Sequence, residues 1–344
     1  MADPAVIDSR YSRQILFGPI GEAGQAKLRS ARVTLIGCGA LGTGIANNLA
    51  RAGVGNLKIC DRDFVELSNL QRQNLFDEDD VRNNMPKAAA AVAKINKINS
   101  DVNAEAVVAD VNFTNIEKLI GGADLVMDGT DNFETRFVLN DATQKHKIPW
   151  IYGGCVGSYG MVMTIVPGET PCLRCAFGEA MPPGTAPTCD TAGVLNTVAN
   201  IVSSFQSNEA IKFLTGNRAA VATGLLNLDV WTNEMRRFKV TPDPACPCCA
   251  KKNYEFLEAK GGAMITSLCG RNAIQIVVPG GAKLAFTDLA EKLKPLGQVT
   301  FNRFLFKFAV DACELTLFTD GRAIIKGTTD VNRAKSLYSK YIGG

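Results

Sequence analysis

The sequence contains a single histidine, His146, which excludes any mechanism that needs a pair of imidazoles. His146 stands in the polar run Gln144-Lys145-His146-Lys147. Such runs are seldom buried, so a solvated helix end is expected there. Neither sign of charge dominates. A formal net charge of +3 is too small to argue for nucleic acid or an acidic membrane surface as a partner. No apolar run reaches the roughly 18 residues needed to span a bilayer. Residues 1–10 have neither a basic n-region nor an apolar h-region, so no secretory signal is read and a cytoplasmic protein is expected. Internal repeats and low-complexity tracts are also missing. What remains, 46% hydrophobic and 21% charged residues, suits a globular chain with a full core. In a reducing compartment the eleven cysteines are thiols, metal ligands or catalytic groups rather than a disulfide frame.

Patterning predicts two blocks, 1–258 and 259–344. In the first, strands are expected at Arg32–Ile36, Leu57–Cys60, Ala104–Val108 and Leu125–Met127. They alternate with helices running to about Arg51, near Lys87–Ile98 and near Asn115–Ile120. That alternation argues an α/β fold, a doubly wound, Rossmann-like, mostly parallel sheet. After Pro149 the pattern turns antiparallel, with strands at Tyr159–Val166 and Leu225–Val230 and a long helix over Asn196–Leu214. The Pro- and Gly-rich stretch Gly178–Asp190 reads as a crossover loop. The second block reads as a small α+β domain. Its strands are expected at Ala273–Val278, Val299–Val310 and Leu315–Phe318, and its helices at Thr287–Leu296 and Val331–Tyr341.

Gly37-x-Gly39-x-x-Gly42 follows a strand and opens a helix, which lets backbone approach phosphate at a helix N-terminus. Asp61, ending the next strand, is placed to hold a ribose hydroxyl. By itself this says nucleotide, with a nicotinamide or flavin cofactor as the usual choice and a purely structural tight turn as the plainer one. The residues beyond Asp61 point away from hydride transfer. Ser68-Asn69-Leu70-Gln71-Arg72-Gln73 supplies amides and a guanidinium, Lys87 follows, and Arg13 lies upstream on a chain-terminal arm. Such cations suit a triphosphate. A carboxylate of Asp128-Gly129-Thr130-Asp131-Asn132, at the end of an apolar strand, can hold Mg²⁺ beside the phosphates. Taken singly, each of these charges could be merely solvated.

Cys172-x-x-Cys175 and Cys246-x-x-Cys249 have the spacing of a four-thiolate Zn²⁺ site with no open position, hence structural. Cys248 could compete for one place. Cys189 stands apart, before a helix whose N-terminus would favour its thiolate; the plainer alternative is a small buried side chain at the loop's end. Cys38, Cys60, Cys155, Cys269 and Cys313 read as packing.

These stretches, together with Arg10–Ile15, Gly53-Val54-Gly55, Pro86-Lys87, Thr130-Asp131-Asn132, Gly168–Cys175 and Thr188–Val194, resemble the ThiF/MoeB family, bacterial relatives of ubiquitin-activating enzymes. They occur in family order over roughly residues 8–255. Tyr152–Gly160 and the C-terminal block look most like the longer ThiF-type proteins. Two positions depart from the family pattern: Ala40 stands for a frequent glycine and Met85 for a common glutamine.

The resemblance implies that Gly37, Gly39, Gly42, the Ala40 backbone and Asp61 bind ATP, within a site that takes in Ser68, Leu70 and Gln71. It implies that Asn69, Arg72 and Lys87 hold the phosphates, and that Asp131 positions Mg²⁺ with Asn132 beside it. Arg13 would reach into a neighbouring subunit's site, so a homodimer is implied. Cys189 would take part in sulfur transfer. The implied reaction is ATP-dependent adenylation of the C-terminal glycine of a small ubiquitin-like sulfur-carrier protein ending in Gly-Gly, ThiS- or MoaD-like, on the way to a thiocarboxylate for thiamin or molybdopterin synthesis. A separate sulfurtransferase is the expected sulfur donor. Two alternatives stay open, an NAD- or FAD-dependent oxidoreductase and a non-catalytic scaffold for a ubiquitin-like protein. The chain's own Gly343-Gly344 is expected to be an ordinary helix ending.

Overall fold

The structure, a computed structural model, describes residues 4–178, 192–258, 264–268, 272–277, 285–310, 312–319 and 322–342. The loop expected over 178–190 lies outside them apart from Gly178, as do Cys189, Cys269, Val278 and the terminal Gly343-Gly344. The chain divides into two compact units, Met1–Ala259 and Lys260–Gly344.

In the first unit β1 (Arg32–Ile36) is buried at every residue after the first, as a strand covered on both faces must be. β2 (Asn56–Asp61), β3 (Asn103–Val108) and β4 (Leu125–Asp128) are parallel to it. β5 (Trp150–Val156) continues the parallel set beside β4, and β6 (Tyr159–Ile165), β7 (Leu225–Asp229) and β8 (Glu234–Phe238) follow antiparallel. The order is β3-β2-β1-β4-β5-β6-β7-β8. The chain runs outward from β1 to β3 and then returns to the other side of β1 through β4. The β1/β4 junction is therefore the topological switch point, where ligands of such sheets bind beyond the strands' carboxyl ends.

One face of the sheet is covered by the helices Ala40–Ala52, Lys87–Ile98 and Asn196–Thr215, which share a core with Leu35, Ile59, Ile151 and Leu228. The helices Ile116–Ile120, Phe133–His146 and Leu173–Phe177 cover the other, around Phe137, Trp150 and Tyr152. Glycine sets how closely two of them approach. A Cβ on Gly44 would lie 2.3 Å from Ser203 Oγ, so the Ala40–Ala52 and Asn196–Thr215 helices meet backbone to side chain there. His146 is exposed at the end of its helix, with Nε2 2.6 Å from Glu117.

The segment read as an arm is a helix, Pro4–Ile15, preceding a second one, Gly21–Ser30. It is moored by side chains. Tyr11 is buried and its hydroxyl accepts a 2.7 Å hydrogen bond from Asn99, and Gln14 donates to the Ala52 carbonyl at 2.9 Å.

The second unit is a six-stranded antiparallel sheet ordered β11-β12-β13-β14-β10-β9. Its strands are β9 (Met264–Leu268), β10 (Ala273–Val277), β11 (Gln298–Phe301), β12 (Leu305–Val310), β13 (Cys313–Phe318) and β14 (Ala323–Lys326). The helices Phe286–Leu293 and Val331–Tyr341 pack on Ile274, Phe306, Phe308, Leu315 and Ile325. Among the described residues no helix is long and apolar enough to cross a membrane.

Candidate active site

The glycine loop leaves β1 at the switch point. Gly37 has φ +87°, and a Cβ on it would lie 2.6 Å from the Gly129 carbonyl oxygen; one on Gly42 would lie 2.1 Å from the Gly37 oxygen. Only hydrogen fits at either place. Three backbone segments therefore pack directly on one another: the loop, the first turn of the Ala40–Ala52 helix, and the turn after β4. The helix starts at Ala40 with Gly39 as its N-cap, and no side chain caps it. Its first N–H groups, together with the helix dipole, are thus left for an anion.

Asp61 anchors the loop as well as closing β2. One carboxylate oxygen accepts the Cys38 N–H at 2.6 Å and the other accepts the Asp63 N–H at 2.7 Å. Each keeps a second lone pair for a ribose hydroxyl. Burial pushes the Asp61 carboxyl up, opposed chiefly by Lys87. Lys87, at the start of its helix, is only 4% exposed, and its ammonium lies 3.2 Å from the Asp63 carboxylate. A lysine so far out of water has to face an anion. Arg62 bonds Asp110 at 2.7 Å and lies 3.7 Å from Asp63. Burial works against its charge, but Asp63 and Asp110 hold its pKa well above the ordinary value. Sequence reasoning missed Arg62, Asp63 and Asp110; the alternating charges of Arg62-Asp63 look like solvated loop, and nothing local marks their pairing with Asp110 and Lys87.

Past this corner, Asn69 is buried and its Oδ1 accepts the Glu66 N–H at 3.1 Å. Arg72 donates to the Ser68 carbonyl at 3.0 Å, folding its guanidinium over the turn Leu67–Asn69. Ser68 and Gln71 are exposed, and Leu70 is half-buried. Asp131 is exposed on the turn after β4, while Asn132 caps the next helix by accepting the Thr135 N–H at 2.8 Å. Asp128 turns inward instead, forming a buried pair with Arg136 at 3.1 Å. Burial pushes the Asp128 carboxyl up, with Arg136 opposing. Removing one partner of such a pair costs about 3–5 kcal/mol.

The structure thus gathers Gly37, Gly39, Ala40, Gly42 and Asp61 with Lys87 by hydrogen bonds and packing, and sets the Asp131 turn against the glycine loop through Gly129. Arg13 is not with them. It is exposed on the Pro4–Ile15 helix, whose neighbouring Gln14 is tied to Ala52, at the far end of the Ala40–Ala52 helix from the glycine loop. Thirteen residues of helix rise about 20 Å, beyond the reach of one arginine.

The second constellation is made of cysteines. Cys172, Cys175, Cys246 and Cys249 bring their sulfurs within 4.8 Å of one another. Cys172 lies 3.6 Å from Cys246 and 3.9 Å from Cys175, and Cys175 lies 3.4 Å from Cys249. A tetrahedral ion with about 2.3 Å bonds to sulfur needs edges of about 3.8 Å, so the four fit a metal ion. The cluster hangs on the Phe133–His146 helix through Asn140, whose Oδ1 accepts the Leu173 N–H at 2.9 Å and whose Nδ2 donates to Cys248 Sγ at 3.2 Å. Cys248 is not one of the four. Its hydrogen bond to Cys172, with burial, pushes its thiol up, and the same bond pushes the Cys172 thiol down.

The ThiF family model matches residues 11–248. A sulfur carrier protein ThiS adenylyltransferase of Bacillus subtilis (strain 168) is 48% identical over 337 residues, 97% of this chain and 99% of the relative. A protein of the same description from Escherichia coli (strain K12) is 37% identical over 72% of this chain and 96% of its own length. In fold, the chain is like the crystal structure of E. coli MccB, with a TM-score of 0.64 at 24% identity over 72% of this chain and 74% of that one.

Proposed function

The chain belongs to the ThiF family, and from that premise we propose that it is an ATP-dependent adenylyltransferase that activates the C-terminal glycine of a small ubiquitin-like sulfur-carrier protein. The carrier's terminal carboxylate attacks the α-phosphorus of ATP, pyrophosphate leaves, and an acyl-adenylate remains. Lys87 supports this reading most directly: it is a buried cation paired with Asp63 next to the ribose-binding Asp61, and a triphosphate calls for more positive charge there than a nicotinamide or flavin dinucleotide does.

The loop N–H groups at Gly39 and Ala40 and the helix they open cradle phosphate, with Gly37 and Gly42 giving the backbone its close approach. Asp61 takes the ribose. Asn69, Arg72 and Lys87 neutralise charge that develops as pyrophosphate departs, with Ser68, Leu70 and Gln71 forming the rim. Asp131, an exposed hard-oxygen donor next to the glycine loop, suits Mg²⁺. Bound there with ATP, the ion would shield the phosphate oxygens from the incoming carboxylate. Arg13 serves the site of a second subunit, which makes a homodimer the working form; its mooring far from its own loop supports this. Cys172, Cys175, Cys246 and Cys249 hold a structural Zn²⁺.

A sulfur nucleophile then displaces AMP from the acyl carbon, either a persulfide on Cys189 or one on a separate sulfurtransferase. That attack leaves an acyl disulfide, which a second thiol cleaves by taking the cysteine sulfur into a new disulfide, and the thiocarboxylate so released would serve thiamin thiazole or molybdopterin synthesis in the cytoplasm. ATP–pyrophosphate exchange tests the first step. Exchange should appear only with a carrier ending in Gly-Gly, and should survive Cys189→Ala, which would lose any covalent carrier–enzyme species seen without reductant. Absence of exchange with every such carrier, or exchange without one, would reject the assignment.

A further inference from the structure

Resting on that reading of the site, we propose that Arg136 is the positioning residue for Asp131, fixing the turn that presents the magnesium-binding carboxylate. Arg136 is buried behind the turn. Its Nε and Nη2 are committed to the turn and to the strand behind it. Nε donates to Asp128 Oδ2 at 3.1 Å, and Nη2 donates to the Thr130 carbonyl at 2.7 Å and to the Gly153 carbonyl at 2.9 Å. The Thr130 carbonyl belongs to the peptide bond that leads into Asp131, so this contact sets where the carboxylate leaves the turn.

The other side of the turn is held as firmly. Asp128 Oδ1 accepts both the N–H and the hydroxyl of Thr130, at 2.9 and 2.7 Å. The Asp128 carbonyl accepts Gln206 Nε2 at 2.8 Å, and the Gly129 N–H donates to Ile36 at 2.7 Å. Asn132, immediately after Asp131, caps the following helix. Asp131 is thus the one exposed side chain between two pinned neighbours. Arg136 is in turn clamped between the Phe133 and Tyr152 rings, 5.3 and 5.2 Å from its guanidinium carbon. A point-charge ammonium in its place could neutralise Asp128 but could not span three acceptors with a planar fork.

The test compares the full-length, metal-replete protein with Arg136→Lys and with Phe133→Leu, which removes one clamping ring and no hydrogen bond. Mn²⁺ is titrated by electron paramagnetic resonance in the presence of a non-hydrolysable ATP analogue, beside nucleotide affinity without divalent ion and the Mg²⁺ dependence of pyrophosphate exchange. Arg136→Lys should weaken the metal about tenfold, as loss of a residue that orients a ligand does, while metal-free nucleotide affinity stays within that of the parent protein. Phe133→Leu should move the same way by about twofold to fivefold. Unchanged metal dependence in a folded Arg136→Lys protein overturns the proposal, as does a fall in metal-free nucleotide affinity that matches the fall in metal affinity. Should Arg136→Lys fail to fold, the shift in Phe133→Leu decides. A parent protein without carrier-dependent exchange would sink the adenylation reading, yet its Mn²⁺ titration would still report on Arg136.

Discussion

The glycine corner and the cysteine cluster both grow from short sequence patterns, but they treat their polar groups in opposite ways. At the corner the backbone is pinned, by Cys38 to Asp61 and by Gly129 to Ile36, and the helix N-terminus at Ala40 and the Asp131 carboxylate are left facing out. In the cluster every sulfur faces inward, and the surrounding bonds from Asn140 serve only to hold it. A site that meets a substrate keeps binding capacity unspent over a satisfied frame, whereas a site that joins distant segments uses all of it.

That contrast predicts different kinds of damage, beginning with the largest. Cys172→Ser and Cys249→Ser should lose the metal, about one zinc per chain, and with it folding free energy on the order of 10 kcal/mol, comparable to the whole stability of a domain. Metal analysis and thermal melting will show it. Cys248→Ser should cost only about 1–3 kcal/mol, from disturbing the hydrogen bonds of its sulfur with Asn140 and Cys172; a larger effect than Cys249→Ser would exchange their assignments. At the corner the damage should be to rate alone. Asp131→Ala should melt within about 0.5 kcal/mol of the parent protein, as exposed positions do, yet lose about 10²–10³-fold in pyrophosphate exchange. Equal loss of stability and rate would erase the contrast.

Arg13→Ala should give a similar loss, but one repaired in trans. Equal mixing with Asp131→Ala should restore roughly a quarter of parental activity, because half of the dimers are mixed and each has one intact site. No recovery in proven mixed dimers would place Arg13 in its own chain's site. The smallest effect is expected from removing residues 259–344. The E. coli relative is accounted for almost to its full length by 72% of this chain, so the first unit alone should keep exchange within about twofold, as a separately folding domain can. A collapse of exchange would assign the second unit to adenylation.

The sequence was most legible where physics is local. β1, the glycine turn and the Ala40–Ala52 helix follow from an apolar run, a glycine spacing and a helical period within twenty-odd residues. Of the Phe133–His146 helix only the solvated end at His146 was read; its body was not, because Asn140, Asp141 and Thr143 are fully buried and leave no polar stripe to read. β5 was missed because Gly153 and Gly154 interrupt it; a Cβ on Gly153 would strike Gln206 at 2.3 Å. β8 is exposed at every residue and carries no inward-facing pattern. In the site, Asp61 and Lys87 could be found by position along the chain. Asp63, Arg62 and Arg136 act through partners that only the fold brings near, and their charges look ordinary in sequence.

One consequence of the β1–β4 junction concerns synthesis rather than catalysis. β1 can pair with β2 almost at once, Arg32 opposite Asn56, but its other neighbour requires Val33 to meet Leu125. Pairings so distant in the chain close slowly. Until β4 emerges, a nascent chain carries Val33, Leu35 and their backbone groups on an open edge, the kind that invites foreign strands. The glycine loop meanwhile lacks the Gly129 backbone on which Gly37 and Gly42 rest. On ribosome-bound chains of increasing length, ATP affinity should appear only once the turn through Asp131 has left the exit tunnel.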